Sequence, residues 1–188
     1  MLVMIERKMK FQREANHDWA DEVAKAPGCE RLFSCIQCGT CSGTCPVSIY
    51  MDFTPRRVVQ LVREGFRKEA LSSQTIWLCA SCYSCTVHCP QNVHITDIMY
   101  ALKREAIKHR MYPPRFPIPV LAQEFYRLVR RRGRSSEFWL VLRMAFRSNP
   151  LVLLGMARTG LQLIRTGRMS VRSEKIKRIE ELSKVEAM

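Results

Sequence analysis

The chain has 188 residues, 47% hydrophobic and 26% charged, with a formal net charge of +14. That hydrophobic fraction excludes an intrinsically disordered chain, and the length fits one domain or a small domain with a substantial appendage. Nine prolines and eight glycines form no repeat, which removes the fibrous classes.

Met1 to Ile5 is too short for a signal-peptide core, and no small-residue cleavage site follows the Glu6-Arg-Lys-Met-Lys10 stretch. The expectation is a cytoplasmic chain with reduced thiols, where disulfides are rare. Residues 1–28 read as an N-terminal extension. Cys29, in Ala26-Pro-Gly-Cys29-Glu30, has no base or activating neighbour in sequence and reads as an ordinary thiol.

Two long windows, Leu32 to Met51 and Leu71 to Thr96, carry no Asp, Glu, Lys or Arg. They are too polar for spanning helices, which need about 20 predominantly apolar residues. They hold eight of the nine cysteines. Cys35, Cys38, Cys41 and Cys45 precede Pro46; Cys79, Cys82, Cys85 and Cys89 precede Pro90. Both runs read C-x2-C-x2-C-x3-C-P, and the second begins 44 residues after the first.

Three thiolates at successive i, i+3 positions can converge from one tight turn onto three corners of a cubane, and a fourth sulfur must come from elsewhere. In two-cluster ferredoxins with this run the fourth cysteine ligates the other cluster. The expected [4Fe–4S] ligand sets are therefore Cys35, Cys38, Cys41 and Cys89, and Cys79, Cys82, Cys85 and Cys45. The proline after each run disfavours a helical conformation at the preceding cysteine. Structural zinc uses separated C-x2-4-C pairs, and the triple run fits it poorly. A Rieske centre replaces two cysteines by two histidines, and here all four are present, which leaves His88 unneeded.

A [4Fe–4S]2+ cluster with four thiolates carries a net charge of about −2, in keeping with the uncharged windows. Small residues separate the ligands: Gly39, Thr40, Ser42, Gly43 and Thr44, then Ala80, Ser81, Ser84 and Thr86. They leave room and are expected to offer backbone N–H groups to sulfur. Ile36, Trp77 and Tyr83 are expected to shield the clusters from water.

Helices are expected around both runs. Thr54 suits an N-cap, Pro55 a first helical position and Gly65 a stop, with Val58, Leu61 and Val62 inward. A short helix from Ser73 towards Leu78 delivers Cys79, and another runs from Ile98 to His109 with Ile98, Ala101, Leu102 and Ala106 at helical spacing. Four prolines between 113 and 119 end this domain. Beyond them the pattern predicts helices over Val120–Arg132, Glu137–Arg147, Pro150–Thr166 and Glu174–Lys184. The third of these starts at Asn149-Pro150 and the fourth at Ser173-Glu174. Phe138 to Phe146 is apolar nearly all round and calls for burial on several sides, one expected from the preceding residues and the rest from a partner subunit. Residues 1–112 carry net +4 and residues 113–188 net +10. The dense Arg127–Arg134 patch suits solvent, an acidic partner or an anionic membrane face. With no recognised nucleic-acid motif, nucleic acid is not expected.

The Cys35-Ile-Gln-Cys38-Gly-Thr-Cys41 and Cys79-Ala-Ser-Cys82-Tyr-Ser-Cys85 blocks carry a family resemblance, strengthened by the Asp52-Phe-Thr-Pro-Arg-Arg57 segment between them. They resemble the C subunit of heterodisulfide reductase and of heterodisulfide-reductase-like complexes, over roughly residues 29–110. Related helical ferredoxin modules occur in succinate dehydrogenase, fumarate reductase, and glycerol-3-phosphate and glycolate oxidoreductases. The resemblance implies an alpha-helical ferredoxin domain with two [4Fe-4S] clusters, placed over 29–112; with the basic helical extension read over 113–188, the expected fold is all-α. It implies electron passage from a flavin-containing A-type subunit through both clusters to a B-type subunit with CCG motifs. This chain has no adjacent cysteines and no apparent general base, nucleophile or nucleotide loop, so no catalytic site of its own is expected. A peripheral contact with the inner membrane face remains compatible with the basic extension. The iron–sulfur subunit of another dehydrogenase, or a cluster-based redox sensor or binding module, is the alternative.

Overall fold

The computed structural model describes residues 15–112, 116–148, 151–169 and 174–177, together with residues 179 and 181. Among the described residues the secondary structure is helical throughout, with no strand. The chain divides into two compact units, Met1–Pro113 and Pro114–Met188.

In the first unit, α1 (His17–Ala24) opens on Asn16, whose side chain accepts the Trp19 N–H at 3.1 Å. That bond satisfies one of the orphan amides of the first turn. The extension expected over 1–28 therefore contains a helix. A four-residue turn, α2 (Thr40–Gly43), lies inside the first cysteine run. Then comes α3 (Pro55–Arg63), with Thr54 at the N-cap position and Pro55 at N1 as expected, although the Thr54 side chain makes no capping bond. Val58, Leu61 and Val62 are fully buried, as the spacing predicts, and Val59 joins them. A helix not anticipated, α4 (Arg67–Ser72), follows Gly65. It is joined by α5 (Thr75–Leu78), which starts two residues later than expected and ends at Cys79. The turn α6 (Ser84–Val87) lies inside the second cysteine run.

The longest helix of this unit, α7 (Ile95–His109), begins three residues before the expected start. Ile98, Leu102 and Ala106 are fully buried along it, and Met99 is nearly so. It packs against α1, α3, α4, α5 and α6, which makes it the spine of the unit. Trp19, Leu32, Leu61, Leu71, Ile76, Ile98 and Leu102 fill the core. Each contributes about 1.5–3 kcal/mol of burial free energy.

In the second unit, α8 (Pro117–Arg132) begins inside the proline cluster, because Pro117 and Pro119 occupy its first turn. Prolines are tolerated there, where their missing N–H groups would have no helical partner. Gly133, at φ +72°, ends this helix, and α9 (Glu137–Ser148) and α10 (Leu151–Arg165) follow. Helix α9 packs on α8 and on α10. Along α9 only Ala145 is buried within this chain, and Phe146 is 64% exposed, which leaves the other sides expected to be covered by a partner subunit open. The start expected at Asn149-Pro150 lies outside the described residues, as do residues 178, 180 and 182–184 of the helix expected over 174–184; residues 174–177 are not helical, so the start expected at Ser173-Glu174 is not found there.

Candidate functional site

The two cysteine runs fold alike. In the first, Gln37 and Gly39 have φ of +58° and +87°; in the second, Ser81 and Tyr83 have +56° and +60°. These positions are 44 residues apart in each case, the offset of the two runs. A helical turn follows immediately, α2 after Gly39 and α6 after Tyr83. Left-handed residues curl the chain tightly enough for thiols three residues apart to face one side. Gly39 adopts this conformation without a Cβ clash, whereas a non-glycine residue such as Tyr83 holds it at a cost of about 1–2 kcal/mol.

The loops bring the eight cysteines together in two groups of four. One cavity is lined by Cys35, Cys38, Cys41 and Cys89, with Arg56 at its wall. The other is lined by Cys45, Cys79, Cys82 and Cys85, among Pro46, Val47, Met51, Pro55 and Met99. The fourth member of each group comes from the other run. Ile95, the first residue of α7, lines both cavities. Among the described residues no three His, Cys, Asp or Glu side chains are grouped to hold a single metal ion. The four sulfurs of each group instead border a cavity.

Most sulfurs of the first group have polar company. Gln37 Nε2–H donates to Cys35 Sγ at 3.4 Å, and Thr40 Oγ1 lies 3.4 Å from Cys38 Sγ. The Val93 N–H donates to Cys89 Sγ at 3.3 Å. In the second group, Thr96 Oγ1 lies 3.6 Å from Cys85 Sγ, and the Val47 amide faces Cys45. The backbone of Thr40 and Gly39 also bonds Cys38, as the sequence pointed to, and side chains and the Val93 amide add to it.

Cations and one carboxylate hold the backbone behind the sulfurs. Arg63, at the end of α3, donates from Nη1 to the Cys35 carbonyl at 2.6 Å. Lys103 on α7 donates from Nζ to the Cys79 carbonyl at 3.3 Å. The first cysteine of each run is therefore fixed by a cation on the helix that follows that run. Asp52 accepts from the Ser73 hydroxyl and from the Gln74 and Thr75 N–H groups, each at 2.9 Å. It thereby caps the start of α5, the helix that delivers Cys79. The motif carrying the family resemblance contains Asp52, but the sequence alone does not say that it caps a helix more than 20 residues away.

Burial sets the thiol acidities. It pushes Cys41 up to about 11 and raises Cys45, whereas the Thr40 hydroxyl draws Cys38 downward. Cys29 lies apart from both cavities; it is 1% exposed, and burial followed by the Asp97 charge pushes its thiol up to about 11. That makes it a core residue with little thiolate at neutral pH.

The expected shielding residues behave differently from one another. Ile36 lines the first cavity and Tyr83 the second, yet both are substantially exposed, at 60% and 44%. Trp77 lines neither; it is buried in the core and meets Tyr112 edge to face at 6.2 Å. Its position at the end of α5 turns the indole inward, away from the cysteine loop. His88 also lines neither cavity, and its Nδ1 lies 2.9 Å from the Ser84 carbonyl.

The donor set fits a [4Fe–4S] cluster at each cavity: four soft sulfurs, no carboxylate in the lining and small residues beside the ligands. Fold and site together are those of a helical iron–sulfur domain, and residues 31–93 match the 4Fe-4S dicluster domain family.

Beyond the domain, the chain is similar to C subunits of heterodisulfide reductases, as the sequence motifs imply. It is 33% identical over 114 residues to the C subunit of the H(2):CoB-CoM heterodisulfide,ferredoxin reductase of Methanothermobacter marburgensis, covering 60% of this chain and 62% of that protein. It is 38% identical over 93 residues to the C subunit of the ferredoxin:CoB-CoM heterodisulfide reductase of Methanosarcina mazei, covering 50% and 56%. Against an iron-sulfur C subunit of the CoB–CoM heterodisulfide reductase of Methanocaldococcus jannaschii it is 34% identical over 100 residues, covering 50% and 53%. The chain thus spans between half and two thirds of the length of these relatives.

Proposed function

We propose that this chain is the electron-relay subunit of a heterodisulfide reductase or reductase-like complex, with two [4Fe–4S] clusters. Cys35, Cys38, Cys41 and Cys89 hold one, and Cys79, Cys82, Cys85 and Cys45 hold the other. The observation that carries this reading is the assembly of four cysteines around each of two cavities that share Ile95. When bound, such a cluster takes up and releases one electron at a time.

The chain's own residues supply the rest. The left-handed turns at Gln37, Gly39, Ser81 and Tyr83 aim the thiols. Arg63 and Lys103 fix the first cysteine of each run. Ile95, buried and in the lining of both cavities, contributes an apolar surface shared by the two sites. The donor is a flavin-containing A-type subunit and the acceptor a B-type subunit with CCG motifs, where the thiol or disulfide chemistry takes place. Residues 113–188 are a basic extension to the cluster domain over 29–112, helical over Pro117–Arg132, Glu137–Ser148 and Leu151–Arg165, at the cytoplasmic side of the cell. Among the described residues, no helix is long and apolar enough to cross a membrane. The basic extension and the exposed Phe146, Leu151, Met156 and Leu161 suit an acidic, partly apolar surface on a partner subunit.

The test is anaerobic purification from the native host. Expected are about eight irons and eight sulfides per chain, a reduced-cluster EPR signal, co-purifying A- and B-type subunits, and reversible reduction by the purified A-type subunit. A chain without iron or labile sulfide, or one that the A-type subunit fails to reduce, refutes the relay.

A further inference from the structure

The two cavities hold the same four donors but differ in the charge and hydrogen bonding around them. Arg56 is part of the wall of the first, where its side chain passes close to Gly39. The second is lined by no charged residue other than its cysteines; Pro46, Val47, Met51, Pro55, Ile95 and Met99 dominate the wall. Around the first, Cys35, Cys38 and Cys89 have Gln37, Thr40 and the Val93 amide as partners at 3.3–3.4 Å. Around the second, the corresponding contact is Thr96 to Cys85 at 3.6 Å, beside the Val47 amide near Cys45. The cation behind Cys35 is also closer to its carbonyl, 2.6 Å for Arg63 against 3.3 Å for Lys103 behind Cys79.

These differences act in one direction. Reduction adds a negative charge. Hydrogen bonds to the sulfurs and nearby cations stabilise the reduced form more than the oxidised one and so raise the midpoint potential. Apolar walls do the reverse. Resting on the cluster assignment above, we propose that Arg56, together with Gln37, sets the two sites at unequal potentials. The site of Cys35, Cys38, Cys41 and Cys89 is the higher and that of Cys45, Cys79, Cys82 and Cys85 the lower. On stepwise reduction by an external one-electron donor, the first electron resides at the Arg56 side of Ile95 and the second at the Met99 side. The chain thereby has a built-in downhill direction, from the second site to the first. Arg56 and Gln37 act through the cluster's surroundings and are positioning residues.

The experiment is an EPR-monitored redox titration of the whole chain, anaerobically loaded, as wild type and as Arg56→Gln, Arg56→Lys and Gln37→Ala. Iron content and helical circular dichroism verify that each variant is folded and loaded. The expected result is two separate midpoints, with Arg56→Gln lowering the higher one, Arg56→Lys restoring it and Gln37→Ala lowering the same one. In every case the lower midpoint stays in place. If Arg56→Gln fails to load, Gln37→Ala decides by the same criterion. Coincident wild-type midpoints, unshifted midpoints in the variants, or a shift confined to the lower one overturn the proposal. A wild-type chain that binds no iron is a different result, and it overturns the cluster reading itself.

Discussion

Asp52 and Thr75 lie 23 residues apart in sequence yet meet at a single carboxylate oxygen. The Thr75 N–H donates to Asp52 Oδ1 at 2.9 Å, and the Thr75 hydroxyl lies 2.6 Å from the same atom. Thr75 and Ser73, which also donates to Asp52, are buried. Asp52→Ala removes the acceptor of the Ser73 hydroxyl and the Gln74 N–H, while the Thr75 N–H keeps Ser73 Oγ and the Thr75 hydroxyl keeps the Phe53 carbonyl, at a cost of about 1–3 kcal/mol. Thermal unfolding should register that loss. EPR of the reduced chain should show the signal of the Cys45, Cys79, Cys82 and Cys85 group lost first, because α5 no longer sets Cys79.

The same carboxylate gives stability a pH dependence. Burial opposes its ionisation, but the bonds from the Thr75 hydroxyl, Gln74 amide, Ser73 hydroxyl and Thr75 amide outweigh this and hold its acidity below the ordinary aspartate value. A depressed folded-state pKa contributes stability fully above the unfolded-state value, about 3.9, and that contribution fades as pH falls through the folded value. The gap in Tm between wild type and Asp52→Asn should therefore be constant from about pH 6 to 7 and narrow below about pH 4. A gap that widens on acidification contradicts the bonding described.

The exchange of fourth cysteines makes a specific genetic prediction. Cys89→Ala should remove the same EPR signal as Cys38→Ala, and Cys45→Ala the same signal as Cys82→Ala. Each variant should retain about half of the wild-type iron. Pairing within each run would give the opposite match, Cys45 with Cys38.

Much of this is legible in the sequence, because ligand spacing and helical periodicity are local signals. The cysteine runs, the Pro55 start and the Val58, Leu61, Val62 face need no tertiary knowledge. Asp52, Arg63 and Lys103 act on backbone groups more than 20 residues away, and nothing in a local pattern reports such a bond. Trp77 departs from its expected shielding place for a related reason: proximity to Cys79 in sequence does not fix the face of a one-turn helix. The left-handed Tyr83 is equally hidden, since tyrosine carries no preference for that conformation. Its match to Gly39 emerges only from comparing the two loops. Helix α8 starts earlier than expected because Pro117 and Pro119, helix breakers elsewhere, are compatible with a helix in its first turn.

Gly65 joins the N-terminal helix to the cluster domain. Its φ is +77°, its carbonyl accepts the Asn16 N–H at 2.9 Å, and a Cβ there would collide with the Asn16 backbone. Backbone on both sides leaves no flexible atom to yield. Gly65→Ala should cost about 2–4 kcal/mol, combining the left-handed conformation with this clash. Hydrogen exchange should show α1 losing protection first, while Gly43→Ala, where a Cβ meets nothing within 4 Å, is nearly neutral.

In the second unit Glu124 is 3% exposed and takes bonds from Arg127 and Arg147, with Arg131 and Arg143 nearby. Burial pushes its carboxyl upward, and the Arg147 and Arg127 bonds and charges bring it below the ordinary glutamate value. Glu124→Gln removes the counter-charge that these guanidinium groups surround. It should destabilise α8 against α9 by about 1–3 kcal/mol, with the wild-type advantage disappearing as pH falls below the glutamate range. Hydrogen exchange along α9 reads this directly.

The interleaving of the two cysteine groups has a consequence for the chain as a thread. If both clusters are bound, the segment between Cys45 and Cys79 is closed by inorganic bridges into a ring, with the first run clasped to residue 89 and the second to residue 45. Continuity of the peptide bond is then redundant there. A single protease cut in the exposed stretch around Ile49 and Tyr50 should leave both fragments bound together until chelation or oxidation removes the iron, and then release them.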